Sequence, residues 1–330
     1  MKRMSKLYLT VMAVALVLVL VAPAPGICQW PTKQLNIVVP FGSGGTTDRI
    51  ARAMGPFLAK ELGVPVVLIN RKGGGGIMGT KVHLKNDPAD GSFIVYTLEP
   101  YLSGAVFKGA FKLDDFDYLG LNYYSPQGLW VHASSEFTSA KKLLHAMKKN
   151  PGKITMSVIP NSWSRVGNSL LKERLNGFAK EIPYQSGGKQ RMGVIKKEVV
   201  CTITEVYGTL ASASEDMRCL AVFGDKRLPE LPEVPTINEV LGEMGAKPMP
   251  ALSNFRFFMV KKGFKKNHPD LFEVLEKAMA KASLNPEYQK IMNNLKLKIQ
   301  WKGSAKTTEA VKKAHETLLP FAVFWQGKKK

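Results

Sequence analysis

Residues 35–52 read LNIVVPFGSGGTTDRIAR, and the fold is decided within them. Leu35 to Pro40 is an apolar, β-branched run that predicts a strand. Asp48 to Lys60 predicts a helix, with Thr46, Thr47 or Asp48 available as its N-cap and Asp48 reading first as that cap. Between them Phe41, Gly42, Ser43, Gly44, Gly45 and Thr46 form a glycine-rich turn. Glycines let the backbone approach a ligand and aim N–H groups outward, and a helix N-terminus behind them adds positive potential, so the turn suits an anion. A tight turn that binds nothing is the alternative for any single loop of this kind.

The alternation continues along the chain. Val64–Asn70 and Ser92–Glu99 predict strands around a helix that ends near Lys85. Gly128–Ser134, Lys153–Ile159 and Glu181–Tyr184 predict further strands, with helices over Ser139–Lys149 and Ser164–Leu175 between them. Such apolar strands separated by helices predict an α/β fold with a parallel sheet covered on both faces. Two stretches predict passages between domains: Leu121–Gln127, and residues 228–242 (LPELPEVPTINEVLG). The second holds three prolines in seven residues and is expected to run extended and irregular. The carboxyl-terminal part reads as mainly helical, over Asn267–Ser283 and in helices opened by Pro286 and Ser304.

Composition narrows the class. The 330 residues carry 47 Lys+Arg against 26 Asp+Glu, a formal charge of +21, and 45% are hydrophobic. That apolar share excludes intrinsic disorder and suits two domains. Lys2, Arg3 and Lys6 precede the apolar run Leu7–Ala22 and then Pro23, Ala24, Pro25 and Gly26, the layout of a secretory signal peptide over residues 1–28. The run is short for a membrane span, which needs about 20 apolar residues, although an uncleaved anchor is the alternative. Residues 1–28 hold three positive charges and no negative one, so +18 stays with the mature chain. Export also permits a bridge between Cys201 and Cys219, whose runs VVCTITEV and RCLAVFG read as neighbouring strands.

A second glycine loop, NRKGGGGIMG over residues 70–79, opens a competing function. Gly74, Gly76 and Gly79 satisfy GxGxxG between a strand and a helix, and Glu99 follows 20 residues after Gly79, where a dinucleotide fold places its ribose-binding acid. This predicts, as the alternative, a nucleotide-dependent oxidoreductase. Export opposes it, as does the position of the loop on the second βα unit. Catalytic patterns are otherwise scarce: the five histidines show no HxxxH spacing, and there is no GxSxG elbow. The weight falls on a binding protein without cofactor or metal. Lysines spread over many helices, with no aromatic-interleaved patch, disfavour nucleic acid.

The ordered motifs resemble the periplasmic solute receptors of tripartite tricarboxylate transporters, the Bug family. The resemblance begins at Trp30-Pro31 and runs through IVVPFGSGGTTDRIAR, LGVPVVLINRKGGGGIMG, DPADGSFIVYT, FDYLG, NPGKITMS, IPYQSGG and RLPELPEVPTINEVLG, covering nearly all of the mature chain. It implies a two-domain periplasmic-binding-protein-like fold of type II, closing like a Venus flytrap over a cleft, with two crossover segments. The implied division is domain 1 over residues 29–124 plus 236–330 and domain 2 over residues 125–235. The implied ligand is a small mono-, di- or tricarboxylate held by backbone N–H groups of two opposed loops, and the partners are integral membrane transporter subunits, with the receptor a monomer in the periplasm.

Carried over by residue, the resemblance puts Phe41, Gly42, Ser43, Gly44, Gly45 and Thr46 on one side of the ligand and Gln185, Ser186, Gly187 and Gly188 on the other. Thr97, beside the second glycine loop, and Ser162 and Arg165, at the family's Ser and His positions, complete the set. The chain departs from the family pattern at Pro160, Asn161, Ser162, Trp163, Ser164 and Arg165. Arg165 is expected to offer a fork to a second carboxylate and Trp163 a stacking surface; a salt bridge and a packing role are the respective alternatives. Lys189 and Arg191 add charge beside the second loop.

Overall fold

A computed structural model describes residue 30, residues 33–159 and residues 162–326. The signal-peptide reading of residues 1–28 lies outside the described residues, as do Pro160 and Asn161.

The first units are β1 (Leu35–Val39), α1 (Thr46–Leu62), β2 (Val66–Asn70), α2 (Ile77–Asn86), β3 (Phe93–Glu99) and α3 (Tyr101–Phe107). β1 is buried along its whole length and lies between β2 and β3, parallel to both. α1 forms because Ile50, Ala51, Met54, Leu58 and Leu62 recur at helical spacing and bury one face against the sheet. Full burial of each large side chain contributes about 1.5–3 kcal/mol. The helix stops at Gly63, in the left-handed conformation, whose N–H returns to the Ala59 carbonyl.

β4 (Phe116–His132) is a strand of 17 residues. Beyond it come α4 (Ala140–Lys149), β5 (Thr155–Val158), α5 (Trp163–Leu175), β6 (Lys180–Pro183), α6 (Gly187–Ile195), β7 (Cys201–Glu205), α7 (Val206–Ala213) and β8 (Met217–Val222). The chain closes with α8 (Ile237–Glu243), β9 (Ser253–Lys261), α9 (Phe264–Asn267), α10 (Pro269–Leu284), α11 (Pro286–Asn294), β10 (Ile299–Gly303) and α12 (Ser304–Leu318). No helix among the described residues is long and apolar enough to cross a membrane.

The strands run in the order β2-β1-β3-β9-β4-β7-β5-β6, with β10 and β8 also on β4. β4 pairs with β9 from Phe116 to Pro126 and with β7 and β8 from Gln127 onward, so it belongs to both halves of the molecule. The sheet is mixed, where the sequence suggested a parallel one. β4 and β9 run antiparallel to their neighbours, while β2-β1-β3 and β7-β5-β6 keep the expected parallel pairing. The helices expected in the carboxyl-terminal part are present as α10, α11 and α12, while the central strand β9, which the sequence reading did not name, precedes them.

Residues 228–242 differ from expectation as well. The irregular part ends at Thr236, whose hydroxyl accepts from the Glu239 N–H while the Glu239 carboxylate accepts from the Thr236 N–H, a capping box that starts α8. Ile237, Val240, Leu241 and Leu252 then pack with Leu129, Leu143, Val166 and Ile203 of the second half. The disulfide does not form: Cys201 and Cys219 are both free and buried. Their strands flank β4 rather than each other. Cys201 lies opposite Val131 and Cys219 opposite Trp130, adjacent residues that face opposite sides of the sheet.

Candidate functional site

In the first half, connections after β1 and β3 leave toward opposite sides, because β1 lies between β2 and β3. Open α/β sheets bind ligands at such a switch point, beyond the carboxyl ends of the strands. The first glycine turn lies there. Its N-cap is Gly45, and Asp48 sits one turn further in, so the expectation that Asp48 caps the helix is corrected. Asp48 instead braces the loop from behind: it accepts from the Gly44 N–H at 2.9 Å, from Asn70 Nδ2 at 3.0 Å and from Arg52 at 2.8 Å. Burial works against its ionisation, but these hydrogen bonds prevail and hold the carboxyl below its ordinary pKa. Asn70 Nδ2 also donates to the Phe41 carbonyl, and the Phe41 ring meets Tyr101 edge-on at 5.5 Å. Gly44 takes φ +80°, a conformation few other residues accept, with open space where a side chain would begin. Gly42, Ser43, Gly44 and Gly45 are exposed, and the first-turn amides of α1 have no helical acceptor.

The opposing loop is built in the same way on α6. Ser186 caps it, its hydroxyl accepting from the Lys189 N–H, which leaves the leading amides of Gly187 and Gly188 at the helix end. Gln185 accepts from Lys189 Nζ at 2.9 Å on the exposed rim.

Between the two loops stands a charged group that the sequence reading missed. Glu205, at the end of β7, accepts from Arg256 Nη1 at 3.0 Å and Nη2 at 3.2 Å, from Thr46 Oγ1 at 3.0 Å and from Asn254 Nδ2 at 3.3 Å. Arg256 Nε donates to Thr47 Oγ1 at 3.0 Å, and its guanidinium lies 4.6 Å from the centre of the Tyr123 ring. Both side chains are nearly inaccessible, at 4% for Arg256 and 7% for Glu205. Burial opposes both charges, yet the pairing prevails. Arg256, helped by Arg191, holds the Glu205 carboxyl below its ordinary pKa, and Glu205 holds Arg256 above its own. Arg191 on α6 lies beside them: the position of a Cβ on Gly187 would be 3.5 Å from Arg191 Nη1 and 3.9 Å from Thr204 Oγ1. Its pKa is drawn down by burial and by the charges of Arg256 and Arg49, against the pull of Glu205.

Three further expected residues have partners of their own. Arg165 pairs with Glu181 on β6, Nε to Oε2 at 3.3 Å, which is the salt-bridge alternative rather than a fork toward the cleft. Ser162 is buried and closes its own turn, donating to the Ile159 carbonyl at 2.9 Å. Thr97 is buried in the β3–β9 ladder opposite Phe257. Trp163 has the packing role: its Nε1 donates to the Ser253 carbonyl at 2.7 Å, joining α5 to the start of β9. A lone arginine in the apolar strand NFRFFMV was the available signal for Arg256; Glu205, ending CTITE, carried none of its own.

The second glycine loop does not form a dinucleotide site. β2 is the edge strand, and a Cβ on Gly79 would come within 2.2 Å of the Arg71 carbonyl oxygen, so this glycine serves close packing. Glu99 is fully buried and accepts from the Ser103 N–H and hydroxyl at 3.2 and 2.9 Å, with burial raising its pKa to about 8. It is a neutral core group, out of reach of any ribose.

Known proteins share this architecture. The family profile described as "Tripartite tricarboxylate transporter family receptor" matches residues 50–317. A UPF0065 protein of the tcbD-tcbE intergenic region of Pseudomonas sp. strain P51 is 31% identical over 221 residues, 66% of this chain and 66% of that protein. Protein BugT of Bordetella pertussis is 28% identical, over 64% of this chain and 67% of its own. Among solved structures, MatC of Rhodopseudomonas palustris with bound malate superposes with a TM-score of 0.75 at 18% identity, over 89% of this chain and all of that one, and shows the same two-domain α/β fold. With its profile match spanning most of the chain, this protein belongs to the receptor family of the tripartite tricarboxylate transporters.

Proposed function

We propose that the chain is an extracytoplasmic receptor that captures a small organic carboxylate between the Phe41–Thr46 and Gln185–Gly188 loops and delivers it to membrane subunits of a tripartite transporter. One observation carries this reading: two helix N-termini, those of α1 and α6, flank the same buried Glu205–Arg256 pair, with Arg191 beside it. Amides at helix ends favour a negative group, and charge-assisted hydrogen bonds to a carboxylate are about twice as strong as neutral ones. The malate bound by a protein of the same fold supports the ligand class.

In this reading β4 near Pro126 and the return of the chain at Leu252 and Ser253 are the passages between the two domains, and closure is a hinge motion there. The basic N-terminal run and the family support a periplasmic location, with the mature receptor acting as a monomer. The test is native mass spectrometry of the purified receptor, followed by a thermal-shift screen of mono-, di-, tri- and aromatic carboxylates. A copurifying organic acid and a raised melting temperature are expected. A receptor indifferent to every acid in the screen would overturn the assignment.

A further inference from the structure

We propose that Arg191 sets the specificity of this site by holding a second anionic group of the ligand, so that the receptor selects compounds bearing two carboxylates over compounds bearing one. This rests on the carboxylate reading above and goes further, naming the residue and the ligand class it selects.

The argument begins with position. Arg191 lies four residues after Gly187, and helical side chains lean back toward the N-terminus, so its guanidinium returns over the second loop. That is where the structure has it: a Cβ placed on Gly187 would lie 3.5 Å from Arg191 Nη1 and 3.9 Å from Thr204 Oγ1, near the carboxyl end of β7. A ligand seated on the amides of Gly187 and Gly188 lies within reach of this fork.

The second step concerns partners. Both Glu205 oxygens are already occupied by Arg256, Thr46 and Asn254. Among the described residues, none accepts a hydrogen bond from Arg191. Arg256 is satisfied by Glu205 and Thr47, whereas Arg191 has neighbouring charge without a bond to it.

Charge completes the case. Arg191 feels the positive charges of Arg256 and Arg49 against the negative charge of Glu205. Arg256 already takes up the charge of Glu205, so the charge of Arg191 is a surplus in a partly dehydrated place, which is costly unless another anion enters. Burial and the two neighbouring guanidiniums already weigh against the charge of Arg191, and a carboxylate would remove that penalty. A first carboxylate takes the loop amides; the surplus asks for a second. Guanidinium is suited to it, since its planar fork matches a carboxylate in two parallel bonds. Arg165, the sequence candidate for this task, is engaged with Glu181.

The experiment is titration calorimetry of the full mature chain with pairs of acids matched in length: butanoate against butanedioate, and hexanoate against hexanedioate. It is run on the wild type, Arg191→Met and Arg191→Lys, with thermal melts confirming that each variant is folded. The wild type is expected to prefer a diacid. Arg191→Met should bind that diacid about tenfold or more weakly, down to the level of the monoacid, because a hydrogen-bonded charge is lost. Arg191→Lys, which keeps the charge and loses the fork, should fall between them. If Arg191→Met keeps the wild-type preference, or loses both acids of a pair equally, the role assigned to Arg191 is wrong while the carboxylate reading stands. If the wild type binds none of the four acids, the two-carboxylate proposal fails, and the carboxylate reading then stands or falls with the wider thermal-shift screen.

Discussion

Arg256 and Glu205 meet across a strand that separates them: Arg256 belongs to β9, Glu205 ends β7, and β4 runs between, its Tyr123 ring beneath the guanidinium at 4.6 Å. The pair therefore ties the first half of the molecule to the second at the point where the two glycine loops converge. Breaking one side strands a buried charge, which typically costs about 3–5 kcal/mol, while replacing both with apolar groups is often neutral. Arg256→Met and Glu205→Leu are each expected to lose about that much in urea denaturation, and the double variant to recover most of it. Additive losses would show that the two side chains act independently.

The glycines of the opposed loops should separate binding from stability. Gly187 opens α6 in an ordinary helical conformation, so Gly187→Val is expected to change stability by less than about 1 kcal/mol while crowding Arg191 and the ligand. Gly44 has a positive φ, and Gly44→Val should cost about 1–2 kcal/mol from strain alone. Calorimetry beside thermal melts checks both; undiminished affinity in both variants would remove the loops from the site.

Glu99 makes stability depend on pH in an unusual direction. Its folded pKa, raised by burial to about 8, lies above the unfolded value near 4.5, so between those values the folded chain holds a proton that the unfolded chain has lost. Its contribution is therefore full below about pH 4.5 and declines as pH rises toward 8, by at most about 1.4 kcal/mol per pH unit. Melts of the wild type and Glu99→Gln from pH 5 to 9 should show the wild type losing stability relative to the variant. Parallel curves would mean that Glu99 does not titrate in this range.

Cys201 and Cys219 should behave as two separate buried thiols. Burial pushes both pKa values well above the ordinary thiol range, which keeps the reactive thiolate scarce. In the chain lacking residues 1–28, an aromatic disulfide reagent is expected to titrate no thiol in the native protein and two after denaturation without reductant. Zero thiols in the denatured protein would reveal a bridge.

Much of this was legible from local signals. The run LNIVVPFGSGG states a strand, a turn and a helix start, because β-branching, glycine and capping act over a few residues. The ordered motifs carried the two-domain fold. What stayed hidden depended on pairing between distant segments. The antiparallel placement of β9 and the insertion of β4 between the two cysteine strands are set by which strands meet. For the same reason Arg165 was favoured over Arg191: both are arginines near a loop, and only the nearby Glu181 on β6 distinguishes the engaged one. The Glu205–Arg256 pair joins residues 51 apart in sequence, which no local pattern brings together.

β4 also bears on how these halves can be handled as modules. A strand that supplies hydrogen bonds to β9 and β10 at one end and to β7 and β8 at the other cannot be assigned to either half. Cutting the chain there leaves one fragment without a central strand and exposes a long apolar edge, the kind of surface that recruits other chains. Excising the second half as a freestanding unit, or exchanging it between relatives, thus requires residues 116–132 to travel intact with both parts, which a single copy of the strand cannot do.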